Sequence, residues 1–418
     1  MPGALPDGEP VPADGTLPEQ ARRGLGQRPF GMYVHVPFCT TRCGYCDFST
    51  YTAAELGGGP GSATVSLGSY PGLALAEIGF ARKVLAGDEH CADLPVQTVF
   101  FGGGTPTLMP PAAFGQILRA IDAEFGLAPG AEVTTEANPE SVDQATLGEL
   151  RAQGVTRVSF GMQSAVPGVL AVLDRVHQPG RPARCAEWAR AAGFEHVSLD
   201  LIYGTPGETD ADWRCSLEAA VAAGPDHVSA YALTVEPGTR LAARVRRGEL
   251  PAPDDDVLAD RYLAADEALT AAGLGWYEIS NWAAGGNCGP SRCAHNMLYW
   301  TGGDWWGIGP GAHSHVAGTR WWNVRHPAAY GARIAAGVSP GQAREILAET
   351  EQRFERVMLA IRLADGCPVE ILSPAGRANA AVVVAEGLAC RDAYAAGRIV
   401  LTRRGRLLAD TVTRTLTE

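Results

Sequence analysis

Short apolar runs rich in β-branched residues recur along this chain, each followed by a longer Ala- and Leu-rich stretch with helical spacing, and that alternation leaves few folds open. Six such runs stand out: residues 31–36, 96–101, 131–136, 155–160, 196–201 and 227–232. Strands separated by helices pair in parallel through right-handed crossovers, which gives a βα barrel or an open part of one. Six units fall short of a closed eight. The expectation is an α/β fold built on a partial, TIM-like (β/α)6 barrel over residues 28–262, followed by other units in a chain of 418 residues.

Composition narrows the setting. The first 27 residues hold five Pro, five Gly and no aromatic ring, so residues 1–27 read as a disordered tail with too little apolar surface to offset the entropy of ordering. They lack the basic start and apolar middle of an export signal, and no run reaches the roughly 18 apolar residues that cross a bilayer, so a soluble, cytoplasmic chain is expected. A net charge of −12 repels phosphate backbones, which argues against nucleic acid as a partner. Ten cysteines in a chain long enough to build its own core call for ligation or packing, not stapling.

Polar residues fall where a βα barrel places its chemistry, at the carboxyl ends of strands. The first run leads into Pro37-Phe38-Cys39, the second into Gly102-Gly103-Gly104-Thr105, the third ends at Glu136, the fourth leads to Gln163 and the fifth contains Asp200. Just past the first run, Cys39, Cys43 and Cys46 put three thiols within eight residues. Thiolates select soft metals, so zinc and iron–sulfur are both open; a closed zinc site wants a fourth ligand close by, and position 48 is Phe. Three thiolates suit three irons of a [4Fe–4S] cube with the fourth iron vacant. A buried thiol group or a disulfide is the plainer alternative, and cytosolic disulfides are rare. Consecutive glycines at 102–104 let backbone N–H groups face a charged ligand, although such a triplet alone is more often a simple turn.

With those residues in view, the sequence resembles the radical S-adenosylmethionine (SAM) superfamily, through the Cys-x3-Cys-x2-Cys triplet and the GGGTPT run. More narrowly, Tyr33-Val-His-Val-Pro-Phe-Cys, Glu136-Ala-Asn-Pro-Glu, Ser159-Phe-Gly-Met-Gln163, Leu173-Asp-Arg-Val-His177 and Asp200-Leu-Ile-Tyr-Gly-Thr-Pro-Gly resemble its coproporphyrinogen-oxidase-like branch. Oxygen-independent coproporphyrinogen III dehydrogenases of that branch carry a further Cys two residues after the third ligand, where this chain has Phe48. The heme chaperones of the branch have the shortened motif and an H-N-x-x-Y-W signature, met here by His295-Asn296-Met297-Leu298-Tyr299-Trp300.

The resemblance implies a radical SAM barrel whose [4Fe–4S] cluster sits on Cys39, Cys43 and Cys46, with SAM held at the open iron through its amino and carboxylate groups. Tyr33, Gly103, Gly104, Thr105, Glu136, Gln163, Arg175 and Asp200 match the SAM-contacting positions, and one or two SAM molecules are compatible with the branch. In such proteins the reduced cluster splits the sulfonium into methionine and a 5′-deoxyadenosyl radical; the cofactor carries that chemistry. The resemblance also implies heme, passed to acceptor hemoproteins such as membrane-bound respiratory enzymes. A homodimer stays open.

Residues 263–342 are dense in aromatics, with Trp282, Trp300, Trp305, Trp306, Trp321 and Trp322 around His295, His313 and His315. Flat rings suit a flat ligand, and an imidazole or thiolate serves as an axial ligand to heme iron, which makes His295 the first candidate and Cys293 a weaker one. A packed core is the plain alternative. Cys288 and Cys293 could pair as a redox or partial metal site, and the glycines of residues 302–311 suggest a loop folded over the open end of the barrel. Residues 343–418 read as helices followed by strand, turn and strand over 397–408, a winged-helix-like α+β unit with Arg403, Arg404 and Arg406 at a solvated hairpin tip. Three functions are therefore weighed: a heme chaperone, a coproporphyrinogen III dehydrogenase making protoporphyrinogen IX, and a zinc-stabilised binding module. Phe48 opposes the second, and the absence of a fourth nearby thiol opposes the third.

Overall fold

In the computed structural model, which describes residues 7–56, 65–86 and 94–418, the β-branched runs become the centre of one sheet. A two-residue β1 (Glu9–Pro10) precedes six strands: β2 (Phe30–Val36), β3 (Val96–Gly103), β4 (Leu127–Ala137), β5 (Arg157–Gln163), β6 (His196–Tyr203) and β7 (His227–Ala232). These six pair in parallel, in sequence order. Each of β2 to β6 is followed by a crossover helix, among them Tyr70–Leu85, Pro111–Phe125, Arg181–Ala191 and Asp210–Ala222. The starts are signalled locally: Thr209 and Asp212 close a capping box on the helix 210–222, and Asp143 caps the helix Gln144–Ala152. Phe114, Ile117 and Ile121 on one face of the helix 111–125 are fully buried, and this apolar stripe holds the helix to the sheet.

Six further strands and β1 extend the sheet on both sides. β8 (Leu274–Glu278) and β9 (Asn281–Ala284) add antiparallel beyond β7, and β10 (Asp304–Ile308) adds parallel to β2. β11 (His313–Val316), β12 (Thr319–Asn323) and β13 (Gly341–Ile346) continue antiparallel from β10, and β1 lies outermost on β13. The thirteen-stranded order runs from β1 to β8 without closing, so the barrel stays open.

Four expectations need correction. Residues 7–27 are not a loose tail: β1 pairs with β13, and Leu17, Ala21 and Leu25 are buried in the main core, the last two flanking or within the helix Glu19–Gly24. A few well-placed aliphatic side chains docked on a preformed sheet offset the ordering cost that composition alone made prohibitive. Residues 302–311 are not simply a loop, because Asp304-Trp-Trp-Gly-Ile308 forms β10 between turns; Gly307 stays in the strand, where a Cβ would meet the His313 carbonyl at 2.2 Å. The aromatic segment reaches the carboxyl end of the barrel only in part, where Gly311 and His313 stand beside Phe48 and Ser49 of the cysteine loop. Its helix Ala294–Trp300 packs on β2, β3 and β4 beside Thr98 and Glu132, early in their strands, opposite the cysteine loop.

The fourth concerns the carboxyl-terminal unit. It has its own core around Val357, Ile361, Ile399 and Val412, and its own small sheet of β14 (Cys367–Pro368) and β15 (Arg398–Ile399). After β15 the chain turns into the helix Arg403–Leu407, not a second strand, because Thr402 caps it by accepting from Gly405 N. Arg406 is not at a solvated tip: it forks onto the buried Asp266 at 2.8 and 2.9 Å and lies 4.4 Å from the Trp276 ring centroid, tying this unit to the barrel. Among the described residues no helix is long and apolar enough to cross a membrane.

Candidate cofactor site

The site forms where β2 ends. Pro37 and Phe38 leave the strand, and the cysteine loop is stitched down at both ends: Cys39 N donates to Tyr51 O at 3.0 Å and Thr105 N to Phe38 O at 2.7 Å. Its middle is held from the other side of the barrel, where Gly44 N donates to Leu173 O and Gly44 O accepts from Leu241 N at 2.8 Å. Loop position is thus set by strands and helices far apart in sequence.

Cys39, Cys43 and Cys46 line one cavity with Gly103, Gly104, Thr105, Glu136, Gln163, Arg175 and Asp200. All three cysteines are free thiols. Among the described residues the sulfurs do not converge on one point as a single-ion site would. Burial pushes the Cys46 thiol up to about 11 and the Cys39 thiol above its ordinary value, so these sulfurs gain most from a partner that stabilises thiolates. The Arg175 guanidinium stands 3.5 Å from Cys43 Sγ and donates to Gly161 O at 2.7 Å, while its buried Nε has no partner among the described residues. An iron–sulfur cube, which brings positive irons to the thiolates and leaves one iron for a bound ligand, fits this donor set.

Backbone glycines make the space. A Cβ on Gly104 would lie 2.4 Å from Phe38 O and 3.0 Å from Cys39 Sγ, and Gly103 adopts φ +106° with His35 2.6 Å from where a Cβ would be. Gly103 N donates to Glu136 Oε2 at 3.1 Å. Gln163 also holds a positive φ of 63°, unusual for a residue with a Cβ, at a register shift between β5 and β6. That strain turns its side chain into the cavity wall.

Glu136 and Asp200 are two carboxyls on neighbouring inward positions. Burial, with Asp200 adding repulsion, raises Glu136 to about 8. Burial raises Asp200 to about 6, against hydrogen bonds from Ser229 at 2.8 Å and Ser159 at 3.0 Å that favour its anion. A ligand ammonium or a ribose hydroxyl would find acceptors here.

Tyr33 stands apart from its expected companions. Its hydroxyl bonds His35 Nδ1 at 2.9 Å, and it lines two neighbouring chambers, not the cysteine cavity. The inner chamber runs down the barrel from Glu136 and Asp200 past Ser159, Ser229 and Tyr231 to His295 and Tyr299. His295 is buried at its floor with both ring nitrogens engaged, Nδ1 with Thr98 Oγ1 at 2.8 Å and Nε2 with Tyr299 OH at 2.7 Å, and its ring stacks on Phe100. As folded, neither nitrogen is available to a metal. Desolvation lowers His295 to about 3, so it is neutral. Cys293 is buried against Glu132 and Cys288 is exposed, so the two stand in different surroundings. Sequence reasoning gave no site role to Tyr45, Asn138 and Ser159, which line the cysteine cavity, although Asn138 and Ser159 stand within motifs it singled out.

Comparison with known proteins agrees with this geometry. Residues 33–220 match the family model of the radical SAM superfamily. The chain is 53% identical over 390 residues to a heme chaperone HemW of Mycobacterium tuberculosis H37Rv, covering 93% of this chain and 95% of that one. It is 33% identical to a heme chaperone HemW of Escherichia coli K12, covering 83% and 86%, and 38% identical to the mitochondrial radical S-adenosyl methionine domain-containing protein 1 of Mus musculus, covering 68% and 60%. The solved coproporphyrinogen III oxidase (HemN) of Escherichia coli, a radical SAM enzyme, superposes with a TM-score of 0.78 at 21% identity, covering 95% and 92%, which establishes a shared fold. From the cysteine triplet to the carboxyl-terminal unit, this chain belongs to the heme chaperone HemW family of the radical SAM superfamily.

Proposed function

We propose that the protein is a heme chaperone of the cytoplasm, which takes up heme and passes it to acceptor hemoproteins, membrane-bound respiratory enzymes among them. The observation that carries this reading is 53% identity over 93% of the chain to a protein named as a heme chaperone. Phe48 supports it, standing exposed where a further cysteine would mark the dehydrogenases.

In this reading Cys39, Cys43 and Cys46 hold a [4Fe–4S] cluster, and Gly103, Gly104, Thr105, Glu136, Gln163, Arg175 and Asp200 hold SAM beside it. When bound, the cluster supplies an electron at low potential to the SAM sulfonium. The chain's own part is positional. Arg175 balances thiolate charge at Cys43, the glycines admit the ligand to the backbone, and the two carboxyls accept from its amino or hydroxyl groups. Tyr33 acts from the next chamber through His35, whose other nitrogen bonds Ser49 O behind the cysteine loop at 3.0 Å.

Heme titration of the anaerobically reconstituted full chain, followed by Soret absorbance, tests the reading. Saturable binding is expected. No binding would remove the chaperone function while leaving the cluster and SAM assignments standing, and conversion of coproporphyrinogen III to protoporphyrinogen IX with SAM and a reductant would favour the dehydrogenase instead.

A further inference from the structure

A heme carrier must offer the iron a ligand with a free lone pair, give the macrocycle an apolar wall, and leave one edge accessible so that the cargo can depart. The chain has nine histidines, and the described ones are nearly all committed. His35, His295 and His315 have both ring nitrogens engaged, His177, His196 and His227 bond through one, and His326 caps a helix by accepting from Ala328 N; among the described residues the Nδ1 atoms of His177 and His227 have no partner, but both are sealed in the core. His313 differs. Among the described residues no hydrogen bond engages its ring, which is exposed at the start of β11 and steadied by stacking on Trp322 with centroids 5.8 Å apart.

His313 looks into an open cleft of about 390 Å³ with Phe48, Tyr299, Trp305, Asp47 and Arg325. Phe48 is 57% exposed, a large apolar surface that nothing among the described residues covers. Trp305 is fixed as a wall, because its Nε1 donates to His313 O at 3.0 Å and its ring packs edge-on against Tyr299 at 4.6 Å. Arg325 brings a positive charge to the rim, and Asp47 is the acid beside it among the described lining residues. Partial burial and the charges of Arg325 and Arg320 keep the imidazole below its ordinary pKa, hence neutral and able to ligate at physiological pH.

We propose that heme docks in this cleft with His313 as the iron ligand, Phe48 and Trp305 against the porphyrin and Arg325 toward a propionate, while His295 acts as a structural plug of the barrel floor. The proposal rests on the heme-chaperone reading and locates its cargo site. Phe48 belongs to both this cleft and the cysteine cavity, so the cargo would sit against the cluster loop. The exposed side leaves the second axial position to water or to a ligand offered by an acceptor.

The test uses the reconstituted full-length protein, ferric heme, and three variants: His313→Ala, His313→Met and His295→Gln, the last keeping a hydrogen-bonding side chain in the core. Iron and sulfide content checks that each is folded around its cluster. Wild type is expected to give a sharp Soret band and a histidine-ligated EPR signature. His313→Ala is expected to bind at least about tenfold more weakly and to regain the band with free imidazole, since loss of a direct ligand should cost no less than loss of an outer-shell partner. His313→Met should shift the spectrum, and His295→Gln should keep the wild-type signature. If His313→Ala matches wild type in affinity and spectrum, or if His295→Gln alone loses the ligand signature, the cleft assignment is wrong although heme binding stands. If wild type binds no heme, the chaperone reading falls and takes the cleft with it.

Discussion

Replacing Arg157 by Met probes how the barrel floor is held. Arg157 opens β5 with its side chain turned into the barrel, 1% exposed, and it makes four kinds of contact: Nε to Glu132 Oε2 at 2.8 Å, Nη1 to Ser198 Oγ at 3.3 Å, and Nη2 to the carbonyls of Ser291 and Arg292 at 2.9 and 3.0 Å. Glu132 in turn accepts from His295 N at 3.1 Å and Cys293 Sγ at 3.5 Å. One guanidinium therefore joins three strands to the segment that delivers the helix 294–300. Removing it strands the Glu132 carboxylate in a nearly dry site, and breaking a buried pair in this way costs about 3–5 kcal/mol. For a chain of this size that corresponds to a melting-temperature loss on the order of 3–6 °C. Differential scanning calorimetry on the reconstituted protein measures it. Arg157→Met with Glu132→Gln removes both charges and is expected to recover much of the loss, because no uncompensated ion is left. If Arg157→Met melts with wild type, the floor is held by packing and the clamp is incidental.

Glu136→Gln reports on the raised carboxyl: since the folded protein holds this proton up to about pH 8 and the unfolded chain releases it near 4.5, ligand-free stability falls as pH rises through that window, and the variant should flatten the fall by about 1–3 kcal/mol while weakening SAM binding; parallel melts at the two ends of the window check the sign. Gly104→Ala drives a Cβ to 2.4 Å from Phe38 O, so reconstituted iron should drop sharply while far-UV circular dichroism stays native. Cys39→Ser should abolish the broad visible absorbance of the cluster without lowering the stability of the ligand-free chain, since a buried thiol raised above its ordinary pKa contributes no ion pair. Asp266→Asn loosens the fork from Arg406 and the Arg403 contact at 2.8 Å, and proteolysis should then release the carboxyl-terminal unit first, with unchanged cleavage counting against that tether.

Much of the site was legible because its parts recur at strand ends. Gly103, Gly104, Thr105, Glu136, Gln163 and Asp200 each follow or end an apolar run, and the parallel register of β2 to β6 carries them to one side of the sheet. Arg175 came from a motif, with no periodicity to place it. Tyr33 illustrates the limit: a strand position predicts which face a side chain shares, whereas the bond to His35 decides which chamber it enters. His295 illustrates another. A histidine amid aromatics looks the same in sequence whether its nitrogens are open or satisfied, and the partners that satisfy it include Thr98, 197 positions away.

The chain by itself determined the β–α rhythm, the triplet of thiols and the glycines that must stay small, because these depend on side-chain period and local sterics. Only the tertiary structure decided that residues 7–27 are docked, that β10 threads beside β2, and that both ring nitrogens of His295 are taken while, among the described residues, no hydrogen bond engages the ring of His313. Those outcomes depend on which distant groups arrive to bury a surface or take a hydrogen bond, and no local pattern records the identity of a partner that lies hundreds of residues away.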